Sequence, residues 1–136
     1  GFMMYEFKYF LPKSEVLGID ISKYCKKHAL KSVKNSIKVC NCINLPFEDN
    51  YFDFVVSIST IHNLKEKDLP KAIMEINRVK KNNGKSFIRV KGHKNLHQKK
   101  VIDDWNLVAK SNPSTKKWIQ IFNKTRYSGD YDFAEY

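Results

Sequence analysis

The chain has 136 residues, 42% of them apolar, and carries 25 Lys and Arg against 14 Asp and Glu for a formal charge of +11, which is material for one domain with a real core and excludes a disordered tail. No apolar run approaches the about 20 residues that a membrane-spanning helix needs, and residues 1–6 lack the basic-then-apolar plan of a secretory signal, so no membrane partner is expected and the expected setting is cytoplasmic. Three cysteines, an odd number, argue against a disulfide framework.

Phe2, Met3, Phe7, Phe10 and Leu11 fall near a helical period until Pro12, which predicts a first helix. Residues 15–21 form a short apolar run ending at Asp20, the pattern of a buried strand in a parallel sheet. Ser22 is placed to cap a helix carrying Tyr24, Cys25, His28, Ala29 and Val33. Residues 36–42 read as a second strand, and 44–50 as a loop with Pro46 and turn formers. The strongest strand is 52–59, rich in aromatic and β-branched residues, and it runs into the loop 60–63. Leu69, Ile73, Ile76 and Val79 predict a helix over 68–80, with Asp68 as N-cap, Pro70 in the first turn and the Asn82-Asn83-Gly84 run as its stop. A strand over 85–90, helices over 98–109 and 114–122, and a last strand over 131–136 complete the chain.

Strand and helix alternate up to about residue 90, so the predicted fold class is α/β: a Rossmann-like three-layer α/β/α arrangement with a mostly parallel sheet. Ligands of such sheets sit beyond the C-terminal strand ends, which selects Asp20, Asn41 with Cys42, and residues 59–62 as a common crevice. A carboxylate at a strand end accepts two hydrogen bonds from vicinal ribose hydroxyls, and charge-assisted bonds of this kind are the strong ones. Gly1 stands nineteen positions before Asp20, close to the ~20 of a nucleotide-binding βαβ unit. That spacing suits a methyltransferase and a nicotinamide enzyme alike.

The Val16-Leu17-Gly18-Ile19-Asp20-Ile21-Ser22 run, the Leu45-Pro46-Phe47 loop and the Phe52-Asp53 pair together resemble the class I methyltransferases that use S-adenosylmethionine, over residues 1 to about 90. The resemblance implies that Gly1 is the last glycine of the glycine-rich turn, so that the chain reads as an N-terminally incomplete copy of a single domain, 1–136, lacking the first strand. It also implies S-adenosylmethionine as cofactor, held by Gly1, Asp20, Ile21, Asn41, Cys42 and Ser59. Members usually carry Asp where Asn41 stands; Asn accepts from an adenine amine through its carbonyl but adds no charge. Residues 59–62 are implied to line the active-site mouth, with His62, whose ordinary pKa is near ~6.5, as the one candidate general base. Methyl transfer is an in-line displacement in which alignment contributes more than any base. A small molecule is the expected acceptor.

Other readings are weaker. Cys25 with His28, and Cys40 with Cys42, lack the spacing of a structural zinc site, so no metal is expected. The basic run Lys80, Lys81, Lys85, Arg89, Lys91, Lys94, Lys99 and Lys100, with His93 and His97, supports an alternative of a different class, a non-catalytic nucleic-acid-binding module on a degenerate Rossmann-like scaffold. The chain has only three arginines, so the bidentate fork typical of base and phosphate recognition is scarce. Phe52-Asp53 reads as a turn aspartate satisfying loop N–H groups. Trp105, Trp118 and Phe122 are expected to pack the C-terminal helices.

Overall fold

A computed structural model describes residues 1–134. They form two compact units, residues 1–46 and the described residues from Phe47 onward. The strands lie in two sheets, one of two strands and one of three, and every pairing is parallel.

In the first unit, helix α1 (Phe2–Phe10) ends where Leu11 leaves helical geometry ahead of Pro12. Strand β1 (Gly18–Asp20) pairs with β2 (Ile37–Val39), in register Asp20 with Val39. The single helix predicted between them is instead two short ones, α2 (Lys23–Lys27) and α3 (Lys31–Lys34). Ser22 Oγ caps α2 by accepting from the Cys25 N–H at 3.3 Å. At its other end Lys34 Nζ donates to the Lys27 carbonyl at 2.8 Å, satisfying a carbonyl that the interrupted helix leaves without a backbone partner. Val33 and Ile37 are the buried side chains of this unit.

In the second unit, β3 (Phe52–Ile58), β4 (Lys80–Lys91) and β5 (Asp130–Ala134) run side by side with β4 in the centre. Helix α4 (Leu69–Val79) buries Leu69, Ala72, Ile73, Ile76 and Val79, an i, i+3, i+4, i+7 stripe. Full burial of each larger aliphatic side chain is worth about 1.5–3 kcal/mol. Asp68 occupies the N-cap position, but its carboxylate pairs with Lys71 at 3.2 Å instead of capping.

The helix stops before Asn82-Asn83-Gly84. The Asn50 and Tyr51 N–H groups bond the Arg78 and Val79 carbonyls, both at 2.9 Å, and draw the chain directly into β4. The Asn-Asn-Gly run becomes an irregularity inside that strand: Phe52 pairs with Lys80, but Phe54 pairs with Lys85. Gly84 is needed there, because a Cβ would stand 2.9 Å from the Asp53 carbonyl and 3.0 Å from that of Phe52.

Helix α5 (Leu96–Asp104) is shorter than predicted and starts earlier. Asn95 Oδ1 accepts the Gln98 N–H at 2.9 Å while Gln98 Oε1 accepts the Lys94 N–H at 2.8 Å, a reciprocal cap. Helix α6 (Thr115–Lys124) is capped by Ser114 and buries Trp118, Ile121 and Phe122. Trp118 Nε1 donates to the Lys91 carbonyl at 2.8 Å, and Phe122 stacks on Tyr131 of β5 with ring centres 4.6 Å apart. Trp105 does not pack with them; it is 74% exposed. The part of the predicted last strand at Glu135 and Tyr136 lies outside the described residues.

Candidate functional site

The first unit gathers four of the candidate residues at one end of its sheet. Asp20 ends β1, and its carbonyl accepts the Cys40 N–H at 3.0 Å just past the end of β2, so Asn41 and Cys42 leave the same edge. Asp20 Oδ1 accepts the Ser22 N–H at 2.8 Å. This bond turns the chain into α2 and fixes the orientation of the carboxylate, while Oδ2 has no hydrogen-bond partner among the described residues. The next residue, Ile21, is 71% exposed although strongly apolar.

Asn41 shapes its own turn. Its Oδ1 accepts the Ile43 N–H at 3.2 Å and its carbonyl accepts the Asn44 N–H at 3.1 Å; one lone pair of the side-chain oxygen and the amide donors are left for a ligand. Burial pushes the Cys42 thiol above its usual range, assisted by the neighbouring Cys40, and burial does the same to Cys40. Both are therefore neutral thiols, and all three cysteines are free. Gly1 has a different environment: a Cβ there would stand 2.9 Å from Val33 Cγ2 and 3.8 Å from Ile37 Cδ1, so its small size serves close packing.

The other two candidates belong to the second unit. Ser59, just past the end of β3, lies in the left-handed region, φ 52°, which a non-glycine residue adopts at a cost of order 1–3 kcal/mol. It is held there from both sides: its N–H donates to the Arg89 carbonyl at 2.9 Å and its carbonyl accepts from Asn63 Nδ2 at 3.2 Å. His62 lies on the single 3₁₀ turn Ile61–Asn63 and is only 4% exposed. Its Nδ1 accepts the Lys91 N–H at 3.5 Å, which puts the proton of the neutral ring on Nε2. Burial first, and the charge of Lys91 second, bring its pKa down to about 4. Such a ring is neutral at pH 7 and offers a donor, not a lone pair. The geometry is that of a packed histidine and runs against the role of general base.

Two side chains outside the predicted set hold these segments in place. Arg78 binds Glu75 through Nε and NH2 at 2.7 and 2.8 Å and reaches Asp49 and the Phe47 carbonyl, each at 2.8 Å. Ser111 Oγ donates to the Leu64 carbonyl at 2.8 Å and to that of His62 at 3.4 Å. Nothing in local sequence marks a partner 47 residues away; the Glu75–Arg78 spacing on a helix did carry a signal.

The Phe52-Asp53 turn differs from its reading, since Asp53 pairs with Lys81 at 2.8 Å instead of with loop N–H groups. Much of the basic run is likewise engaged: Lys81 by Asp53, Arg89 by Asp132, Lys99 by Asp103, and Lys80 by the Lys81 and Gly84 carbonyls. Among the described residues no three His, Cys, Asp or Glu side chains are grouped to hold a metal.

Residues 1–88 match the family model described as a methyltransferase domain. The chain belongs to the methyltransferase-domain family. The cofactor expected of this family is S-adenosylmethionine. The uncharacterized protein MJ0638 of Methanocaldococcus jannaschii is 34% identical over 74 residues, which cover 54% of this chain and 32% of that protein. Among solved structures, the PH0226 protein of Pyrococcus horikoshii is 31% identical with a TM-score of 0.52, covering 59% of this chain and 41% of its own. A SAM-dependent methyltransferase of Archaeoglobus fulgidus, 15% identical, shares the fold with a TM-score of 0.69 over 90% of this chain and 56% of its own. The methyltransferase-domain chain thus spans about a third of the curated relative it matches and roughly half of these solved structures.

Proposed function

We propose that this methyltransferase-domain chain contributes the cofactor-binding strand ends of an enzyme that methylates a small-molecule acceptor. Asp20 carries the reading. Its carboxylate is already oriented by the Ser22 N–H, keeps one oxygen for a ligand, and stands beside an exposed Ile21. A sugar diol and an aromatic base require that combination: an anion for paired hydroxyls and an apolar wall for a ring. Asn41 and the Cys42 N–H would meet the polar edge of the adenine, and Gly1 would set how closely α1 packs beneath.

Bound S-adenosylmethionine supplies a methyl group activated on a sulfonium. The chain's own contribution is placement. Ser59, fixed at both of its peptide groups, makes the chain rigid just after β3. His62 enters as a positioning residue: its ring bonds the β4 backbone and its carbonyl takes Ser111, so the turn is held at two points. An acceptor aligned along the displacement axis then needs little proton abstraction from the protein.

Calorimetric titration with S-adenosylhomocysteine tests this reading. Asp20→Asn keeps an acceptor for the Ser22 N–H and removes the charge, so affinity should fall roughly ten- to hundredfold, the worth of hydrogen bonds to a charged group, with melting temperature little changed. Equal affinity of both proteins would take Asp20 out of the site.

A further inference from the structure

After α5 the chain turns three large apolar side chains into water: Trp105 at 74%, Leu107 at 95% and Val108 at 71% exposure. The segment is built to hold them there. Asn106 clasps Ala109 with both ends of its amide, Oδ1 accepting the Ala109 N–H at 2.7 Å and Nδ2 donating to the Ala109 carbonyl at 2.9 Å. At the foot of the loop Ser111 is bonded to the Leu64 carbonyl, and Asn112 donates to the Asp103 carboxylate, which also takes Lys99 at 2.7 Å. A closed, pinned turn therefore presents an indole and two aliphatic groups outward, against the hydrophobic effect.

Side chains this exposed enclose no small molecule, since ligands of that size are buried over most of their surface. They suit a soft apolar medium that they enter. The surrounding charge says which medium. Lys94, Lys100 and Lys110 are exposed on either side of the turn. Asp103 already has its cation in Lys99, and Asp104 is the acid of the segment outside any ion pair among the described residues. An indole beside lysines, with aliphatic groups between them, matches the boundary between anionic headgroups and acyl chains.

We propose that residues 105–110 form a docking loop for an anionic membrane surface. Among the described residues no helix is long and apolar enough to cross a membrane, and interfacial docking needs none. The proposal stands apart from the reading of Asp20, so either survives the failure of the other.

The reporter is already in place. Trp118 is fully buried with its Nε1 bonded, whereas Trp105 is in water, so a blue shift on adding vesicles reports Trp105. Phosphatidylcholine vesicles containing phosphatidylglycerol should sediment the protein and shift its emission; phosphatidylcholine alone should not. The Leu107→Asp, Val108→Asp double variant should lose sedimentation while keeping its melting temperature and its S-adenosylhomocysteine affinity. Trp105→Phe should lose the shift but sediment. Lys100→Ala and Lys110→Ala should each weaken binding roughly fivefold. Absence of sedimentation with anionic vesicles at low salt, equal binding to both vesicle types, or unimpaired binding of the double variant would each overturn the proposal.

Discussion

At His62, burial decides the chemistry. The ring is neutral because charging it inside the second unit would leave an imidazolium with little solvent, beside the positive charge of Lys91. The sign of the pH effect follows. The folded pKa of about 4 lies below the unfolded 6.5, so between these values the unfolded chain binds a proton that the folded chain refuses. Stability is then highest above pH 6.5 and is lost as pH falls toward 4, by of order 3 kcal/mol from this residue. Denaturant titrations of the parent and His62→Gln between pH 7 and pH 5, a window above most carboxylate titrations, should show a steeper loss for the parent. Parallel curves would mean that the ring protonates freely in the folded state.

At the scale of single elements, side chains that bridge distant backbone set where each piece starts and stops. Arg78, in the last turn of α4, joins Glu75, Asp49 and the Phe47 carbonyl and so fixes the loop that leads into β3. Lysine would keep the charge but not the planar fork. Arg78→Lys should cost about 1–3 kcal/mol in thermal denaturation, and Asp49→Ala much less, since Asp49 is the most exposed of the partners. Equal costs would place the clamp at Asp49 instead. The same logic explains what was legible beforehand. The apolar stripe of α4, the β-branched run of β3 and the Ser22 and Ser114 caps are local patterns, and all were readable. The division of the predicted helix at 23–34 was not, because it depends on Lys34 reaching the Lys27 carbonyl. Nor was the extension of β4 through Asn82-Asn83-Gly84, where a turn-forming run is overruled by hydrogen bonds from Asn50 and Tyr51.

Across the whole molecule, the family and the parallel α/β architecture were legible because strand-end acids and alternating elements are properties of the chain order itself. The distribution of candidate residues was legible only in part. Asp20, Ile21, Asn41 and Cys42 meet at one end of the two-stranded sheet, as strand pairing requires, whereas Ser59 and His62 belong to the other unit. Exposure was the least readable property. Trp105 looks like core in composition and stands in water, because Asn106 closes its turn outward.

The central claim is that S-adenosylmethionine is held at the ends of β1 and β2, with Asp20 on its ribose. Amide chemical-shift mapping with nitrogen-15-labelled protein and S-adenosylhomocysteine addresses it most directly. The account predicts perturbations concentrated at residues 20–22 and 41–43; shifts confined to α6 and β5, or none at residues 20–22 under saturating ligand, would contradict it.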